Sequence, residues 1–246
     1  MPLWFSPVDA IGTAAVFVYY ALSATVIIIL SRLFAIPREV IRKTYHLMCS
    51  ASMFILLYCF ERWWGAASAI ASVFVLAYLL MGLLERIPAF RAIFREQSGR
   101  EIRRQIASVF VMFLVLLALT WGMLGPDTKH HAAMGIVAWG VGDTLAALVG
   151  KRFGRIRPWL QRIAPRKTLE GTLAMWGSAS LALFAILSVL TSTTLSVRLL
   201  AALALGATAA LVELISRRGW DTLTVPPAVA GLSMLMLPLL NQLLGP

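Results

Sequence analysis

Long apolar runs separated by short polar segments are the dominant pattern of this chain. Six runs approach or exceed about 20 residues, the length that crosses a bilayer as a helix; they cover residues 10–31, 63–84, 105–124, 132–150, 171–197 and 222–246. Two shorter runs, 44–60 and 199–216, each contain a polar residue near one end. The pattern predicts an all-α, polytopic membrane protein with eight helices in one transmembrane domain over residues 1–246.

The basic residues alternate between loops in a way that predicts the orientation. Nineteen of the 22 Lys and Arg residues lie in four alternate loops, and only Arg62, Lys129 and Arg198 lie on the other side. Because loops rich in Lys and Arg stay in the cytoplasm, both termini are predicted to be non-cytoplasmic. We expect a plasma or inner membrane in a bacterium, or an endoplasmic-reticulum-type membrane in a eukaryote.

Composition narrows the class of partner. An apolar fraction of 60% with only 13% charged residues excludes a soluble globular domain. The net charge of +11 lies mostly on the predicted cytoplasmic face, where it suits membrane-lipid headgroups or polyphosphates, and nucleic acid is not expected as a partner. Cys49 and Cys59 have no spacing typical of a disulfide or a zinc site.

The loop at residues 85–104 carries six arginines interleaved with apolar side chains. Phe90, Ile93 and Phe94 have the spacing of one helix face, which favours a helix lying in the membrane interface with its apolar side down. A solvated basic loop is the alternative. Either structure would position the protein rather than perform chemistry.

One carboxylate, Asp143, lies inside the apolar run at 132–150. A carboxylate at the centre of a spanning helix costs about 2.5 to 3.5 kcal/mol on insertion scales, so it needs a counter-ion, a water-filled cleft or a metal. Small residues recur every three or four positions along the same run, which favours close helix packing. Packing does not account for the acid, and Asp143 is therefore a candidate functional residue.

A glycine-containing basic segment follows and completes a candidate nucleotide-binding segment at 142–171. Gly150 and Gly154 allow backbone N–H groups to approach an anion, and Lys151 and Arg152 add positive charge. Taken alone, glycines with basic residues after a helix are weakly specific for phosphate. The segment gains weight only together with Asp143.

The end of this segment places charged residues next to the following apolar run. Lys167 comes just before Glu170 and Gly171 at the start of the next apolar run. A structural interpretation is that Thr168 caps a helix and Glu170 lies at its positive end. That interpretation leaves Lys167 unexplained.

Further polar residues are predicted to reach the same membrane face. Lys43 and His46 are three positions apart and share a helix face; the alternative is a basic flank followed by an interfacial histidine. Glu213 and Asp221 supply two more carboxylates, although Glu213 could instead form a structural pair with Arg217 at i+4. Several acids beside basic loops suggest one shared polar site.

Carboxylates and basic residues at a cytoplasmic face suit phosphoryl or nucleotidyl transfer. Such reactions need oxygen ligands for Mg²⁺ and Lys or Arg for phosphate oxygens. The chain has no GxxxxGK[ST] loop, no protein-kinase HRD or DFG set and no GxSxG motif. A hydrophobic acceptor that enters between helices would explain a site at the membrane boundary.

The residues in four separated blocks resemble one family. GDTLAALVGKRFG, RKTLEG and ELISRRGWDTLTVP, with RKTYH near the second helix, are similar to the CTP-dependent lipid kinases typified by dolichol kinase, phytol kinase and yeast-type diacylglycerol kinase. The resemblance implies transfer of the γ-phosphate of CTP to a lipid alcohol, with a divalent cation such as Mg²⁺ as cofactor. It favours an isoprenoid acceptor over diacylglycerol.

The resemblance maps the family's CTP-binding segment onto Asp143, Ala146, Gly150, Gly154, Lys167, Glu170 and Gly171, and the chemistry of this sequence suggests the other site residues. The expected nucleotide-binding residues are Gly142, Asp143, Ala146, Gly150, Lys151, Arg152, Gly154, Arg157, Lys167, Glu170 and Gly171. Asp143, Glu213 and Asp221 are the expected metal ligands. Lys43 and the segment's basic residues would neutralise phosphates, Glu170 would position Lys167 or the metal, and His46 is the candidate base for the acceptor hydroxyl.

Two positions depart from the family pattern, and two other functions stay open. Arg157 replaces the usual Lys, with a longer interval before Lys167, and Thr222 replaces the usual Asn after Asp221.

One alternative function is that of a cytidylyltransferase, which makes a CDP-lipid from a lipid phosphate. The other is a membrane carrier or scaffold that binds no nucleotide.

Overall fold

The structure, a computed structural model, describes residues 6–34, 36–84, 86, 99–157, 167–217 and 219–244. Within these ranges it contains eight long helices and no strand. In chain order they are α1 (Pro7–Leu33), α2 (Arg38–Tyr58), α3 (Trp63–Leu84), α4 (Gly99–Leu117), α5 (Lys129–Phe153), α6 (Leu169–Leu190), α7 (Leu195–Ile215) and α8 (Asp221–Leu244). The predicted all-α fold and the number of helices are confirmed.

Seven of the eight described helices are long and apolar enough to cross a membrane, and α2 is the exception. It has 21 residues, but its first two turns contain Glu39, Arg42 and Lys43, which lower its hydropathy. The predicted polytopic membrane protein is confirmed. The predicted orientation of the termini stays a prediction.

Helix α5 lies at the centre of the bundle and packs against α2, α6, α7 and α8. Every residue from 131 to 140 is buried. Its small residues make this possible: a Cβ atom at Gly140 would overlap the Ser50 hydroxyl of α2. The small-residue stripe therefore packs helices together, and it brings Asp143 against α2.

Two predicted segments lie partly outside the described residues. The structure describes Arg86 and the part of the 85–104 segment from Gly99 onward, which is the start of α4. There the Arg103 guanidinium carbon lies 5.9 Å from the ring centroid of Tyr78 on α3. In the 142–171 segment, residues 158–166 are outside the described ranges. The interfacial helix at 85–104 stays a prediction.

Candidate active site

Lys43 of α2 and Asp143 of α5 form a buried ion pair. The Lys43 Nζ atom lies 2.5 Å from Oδ2 of Asp143 and 3.0 Å from its backbone carbonyl oxygen. Only 2% of Lys43 and 7% of Asp143 are exposed. Removing one partner of such a pair leaves an uncompensated charge and typically costs about 3–5 kcal/mol. The counter-ion that the position of Asp143 requires is therefore supplied by α2.

His46 lies one turn after Lys43 and faces the same carboxylate. Its Nδ1 atom is 4.0 Å from Oδ2 of Asp143, too far for a hydrogen bond. Its ring packs against Trp139, with 4.9 Å between the ring centroids. Nδ1 is buried and has no hydrogen-bond partner among the described residues. The role of His46 as the base for the acceptor hydroxyl stays a prediction.

A second lysine–carboxylate pair joins Lys167, just before α6, to Glu213 near the end of α7. The Nζ atom of Lys167 lies 2.5 Å from Oε1 of Glu213 and also donates to its backbone carbonyl oxygen. Glu213 is 8% exposed. The alternative pairing of Glu213 with Arg217 is wrong, because α7 ends at Ile215 and Arg217 lies beyond the helix where the i+4 relation no longer applies.

Asp221, the first residue of α8, brings the two pairs together. Its carboxylate is within electrostatic range of Asp143 and of both lysines, Lys43 and Lys167. Glu213 likewise interacts electrostatically with Asp143 and Asp221. Three carboxylates and two lysines from widely separated parts of the chain therefore form one charged cluster, which we call the acid–lysine cluster.

Glu170 organises the backbone after α5. Its carboxylate accepts hydrogen bonds from the backbone N–H groups of Arg155 at 2.9 Å and Ile156 at 3.0 Å. The N–H of Gly154 donates to the carbonyl of Gly150. These three backbone donors around Gly154, where the sequence predicts N–H groups that approach an anion, are therefore engaged within the chain. Contacts therefore link Glu170 to this loop, whereas Lys167 pairs with Glu213.

The glycines of the segment allow the end of α5 to cross the start of α6 closely. A Cβ atom at Gly150 would lie 3.1 Å from the Thr168 hydroxyl, and one at Gly171 would lie 3.0 Å from the Ala146 carbonyl oxygen. Thr168 is the N-cap of α6 and accepts from the N–H of Gly171 at 3.2 Å. The predicted cap is confirmed.

Four other predicted residues surround the cluster without joining its contacts. Gly142 packs in α5, where a Cβ atom would meet Met175 of α6. Arg152 and Arg157 are exposed, and the Arg152 guanidinium lies over the neighbouring Phe153 ring. Lys151 is exposed as well, and its partner is Glu39.

Glu39 is a residue that the sequence reasoning missed. Its carboxylate accepts hydrogen bonds from Lys151 at 2.7 Å and from Arg42, and so ties the start of α2 to the end of α5. Burial raises the pKa of Glu39, but the hydrogen bonds from Arg42 and Lys151 outweigh it and lower the pKa from 4.5 to about 2. The sequence feature that could have pointed to Glu39 is its position as a single acid within a run of basic residues.

The donor chemistry of the cluster fits a magnesium–nucleotide complex. Mg²⁺ prefers oxygen ligands and is commonly held by one or two carboxylates together with substrate phosphates. Asp143, Glu213 and Asp221 offer such oxygens, and the ammonium groups of Lys43 and Lys167 pair with the first two. No three His, Cys, Asp or Glu side chains in the described ranges form a metal site by themselves. Ligation of Mg²⁺ by Asp143, Glu213 and Asp221 stays a prediction.

Comparison with known proteins identifies the family. Residues 4–216 match the model of the Cytidylyltransferase family, which is most of the chain. This protein belongs to the Cytidylyltransferase family. The acid–lysine cluster lies within the matched part except for Asp221. No solved structure matches the chain.

Three known proteins that are similar in sequence to this Cytidylyltransferase-family chain are named as kinases. The chain is 34% identical to a phytol kinase of Synechocystis over 233 residues, 92% of this chain and 89% of that protein. It is 43% identical to the dolichol kinase of Saccharomyces cerevisiae over 63 residues, 26% of this chain and 11% of that protein. A dolichol kinase of Arabidopsis thaliana is 29% identical over 170 residues, which are 66% of this chain and 29% of that protein. The predicted family resemblance is confirmed.

Proposed function

We propose that this protein is a membrane-embedded kinase that transfers the γ-phosphate of CTP to the hydroxyl group of an isoprenoid alcohol of the polyprenol or phytol type. The acid–lysine cluster carries this proposal, because it gathers lysines for phosphate and carboxylates for a divalent cation at the membrane boundary. The name of the full-length relative, a phytol kinase, favours the acceptor class.

In the proposed reaction the lipid oxygen attacks the γ-phosphorus, the bond from that phosphorus to the bridging oxygen breaks, and CDP leaves. Lys43 and Lys167 move from their carboxylates onto phosphate oxygens, and His46 accepts the hydroxyl proton at Nδ1. Asp143 and Asp221, with Glu213 beside them, would hold Mg²⁺, which supplies charge neutralisation when bound. Glu170 fixes the loop after α5 by accepting from the backbone N–H groups of Arg155 and Ile156.

The decisive test is an assay of the purified protein with γ-labelled CTP or ATP against a panel of isoprenoid alcohols and diacylglycerol. We expect label to enter an isoprenoid alcohol with CTP as the better donor. Transfer to diacylglycerol alone would overturn the acceptor class. Absence of transfer and of any thermal stabilisation by CTP with Mg²⁺ would instead favour the carrier or scaffold.

A cytidylyltransferase is the second candidate, and the description of the matching family favours it. Such an enzyme joins CMP to a lipid phosphate and releases pyrophosphate. The same protein incubated with α-labelled CTP and a lipid phosphate separates the two functions. Label from the α-position in lipid, with pyrophosphate released, would replace the kinase proposal.

A further inference from the structure

A cleft lies where α7 ends and α8 begins. Its volume is about 360 Å³, within the range of about 300–1,000 Å³ typical of small-molecule sites. It is lined by Val212, Ile215, Ser216, Arg217, Trp220 and Thr224. We call this feature the α7–α8 cleft.

The lining of the α7–α8 cleft is amphiphilic. Ile215 and Trp220 are 56% and 51% exposed, so their apolar surfaces face the surroundings of the bundle. Arg217 is exposed at the turn between the helices, and hydroxyl groups of Ser216 and Thr224 form the polar part of the lining. A mainly apolar cleft with two hydroxyl groups and one cation matches a lipid that has a small polar head.

Ser216 and Thr224 supply the two hydroxyl groups of the α7–α8 cleft. Ser216 and Thr224 are hydrogen-bonded to each other across the two helices, with 2.7 Å between their oxygens. Thr224 comes three positions after Asp221 within α8, a spacing that makes side chains neighbours along a helical turn. Ser216 is the C-cap residue of α7, the helix that carries Glu213. A polar group bound at these hydroxyls would therefore lie near Asp221, a carboxylate of the cluster.

We propose that the α7–α8 cleft binds the acceptor alcohol, an inference that rests on the proposed function. The alcohol's hydrocarbon chain lies along Ile215 and Trp220 and continues into the membrane, and its hydroxyl group bonds to the Ser216–Thr224 pair. From there the hydroxyl faces the cluster without the chain leaving the apolar phase. Arg217 at the rim then meets the phosphate that the product carries.

Photolabelling of the full chain in liposomes tests the site without using catalysis. The probe is an isoprenoid alcohol with a diazirine next to its hydroxyl group, added without nucleotide. We expect label on the peptide around residues 211–224, competed by excess plain alcohol but not by the matching hydrocarbon. Label spread over lipid-facing helices, or unaffected by the alcohol, would mean ordinary bilayer contact and overturn the proposal.

Two variants test the cleft by kinetics. Val212→Trp fills it, whereas Leu211→Trp adds the same bulk at a neighbouring lipid-facing residue that is 60% exposed and outside the lining. We expect Val212→Trp to raise KM for the alcohol at least tenfold and leave stabilisation by CTP with Mg²⁺ unchanged, and Leu211→Trp to change neither. Unchanged KM in Val212→Trp would overturn the proposal.

A milder variant probes the hydroxyl pair. The double variant Ser216→Ala with Thr224→Val removes both hydroxyls and keeps the volume of the Thr side chain. It should raise KM for the alcohol about three- to tenfold, as expected for loss of one ordinary hydrogen bond.

These experiments distinguish failure of the proposed site from failure of the proposed function. Competed label without any kinase activity rejects the function alone, whereas kinase activity with a normal Val212→Trp variant rejects the cleft alone.

Discussion

At the scale of single residues, the Lys43–Asp143 pair links stability to the proposed chemistry. Either partner alone would be a buried charge without compensation, and the pair bridges α2 and α5. In the proposed reaction the same two groups separate to meet phosphate and metal. The pair therefore has one role in the resting protein and another in the nucleotide complex.

This double role predicts how substitutions combine. Lys43→Met should lower the free energy of unfolding by about 3–5 kcal/mol because Asp143 is left buried and unpaired. Adding Asp143→Asn should restore much of that stability, since no charge then remains, but activity should stay at least a hundredfold below wild type. Thermal unfolding and kinase assays of both single variants and the double variant measure this.

The control for this cycle is Asp143→Asn alone. It should lose some stability because Lys43 is left without its carboxylate, but it should remain inserted and folded because the amide oxygen and the backbone carbonyl still accept from Lys43. Its activity should be low because the carboxylate is gone. Near-normal turnover in this variant would remove Asp143 from the mechanism. Additive stability losses in the double variant would show that the two side chains do not interact.

The lowered pKa of Glu39 predicts that its contribution to the free energy of unfolding depends on pH. Its pKa is lowered from 4.5 to about 2 in the folded protein by Arg42 and Lys151, so its contribution to stability is complete above the unfolded pKa. That contribution is lost as the pH falls from about 4.5 towards 2. The contribution is at most about 1 kcal/mol, because the Lys151 partner is well exposed.

The measurement compares wild type with Glu39→Gln in detergent between pH 2 and pH 7. The difference in free energy of unfolding should be constant above about pH 5 and approach zero near pH 2. A difference that does not change with pH would show that Glu39 acts by packing rather than by charge. Arg152→Gln, which changes another exposed charge without an acidic partner among the described contacts, should leave the profile unaltered.

At the scale of helices, the contact between α2 and α5 sets the geometry of the cluster. A Cβ atom at Gly140 would overlap Ser50, and α2 carries Lys43 and His46 only one to two turns before Ser50. Gly140→Ala should therefore push α2 away, cost about 1–3 kcal/mol as overpacking does, and reduce activity. Unfolding and kinase assays of the same preparation detect both effects.

Two matched variants make this prediction specific. Ser50→Gly combined with Gly140→Ala removes the overlapping atoms and should recover activity in part. Gly177→Ala on α6 has nothing within 4 Å of its new Cβ atom and should be neutral. Full activity of Gly140→Ala alone would mean that the α2–α5 contact does not position the site.

The helices could be predicted from the sequence, but their partners could not. Apolar runs alone mark the helices, because the bilayer demands about 20 residues per span. The need of Asp143 for a counter-ion was also predictable. That Lys43 supplies it, from 100 residues earlier, depends on tertiary packing that no local pattern encodes. For Glu213, the i+4 rule offered Arg217 as an alternative partner, but α7 ends at Ile215 and the carboxylate pairs with Lys167 instead.

At the scale of the whole molecule, the acid–lysine cluster lies at the end of the bundle where α5 and α7 end and α6 and α8 begin. Lys43, Lys167 and Asp221 each lie at the start of a helix or just before one, on the same side as the exposed Lys151, Arg155 and Arg217. If this end faces the cytoplasm, nucleotide reaches the cluster directly, while the acceptor arrives through the membrane. The orientation of the bundle therefore decides whether the proposed substrates can meet.

Labelling of introduced cysteines tests that orientation. Ser192→Cys lies in the exposed turn between α6 and α7, and Arg155→Cys lies in the exposed loop after α5, in a background where Cys49 and Cys59 are replaced by Ser. A membrane-impermeant maleimide should label Ser192→Cys in intact cells and Arg155→Cys only after permeabilisation, because basic loops remain inside. The reverse pattern would place the cluster away from cytoplasmic CTP, and the kinase proposal would then require a nucleotide source on the opposite side of the membrane.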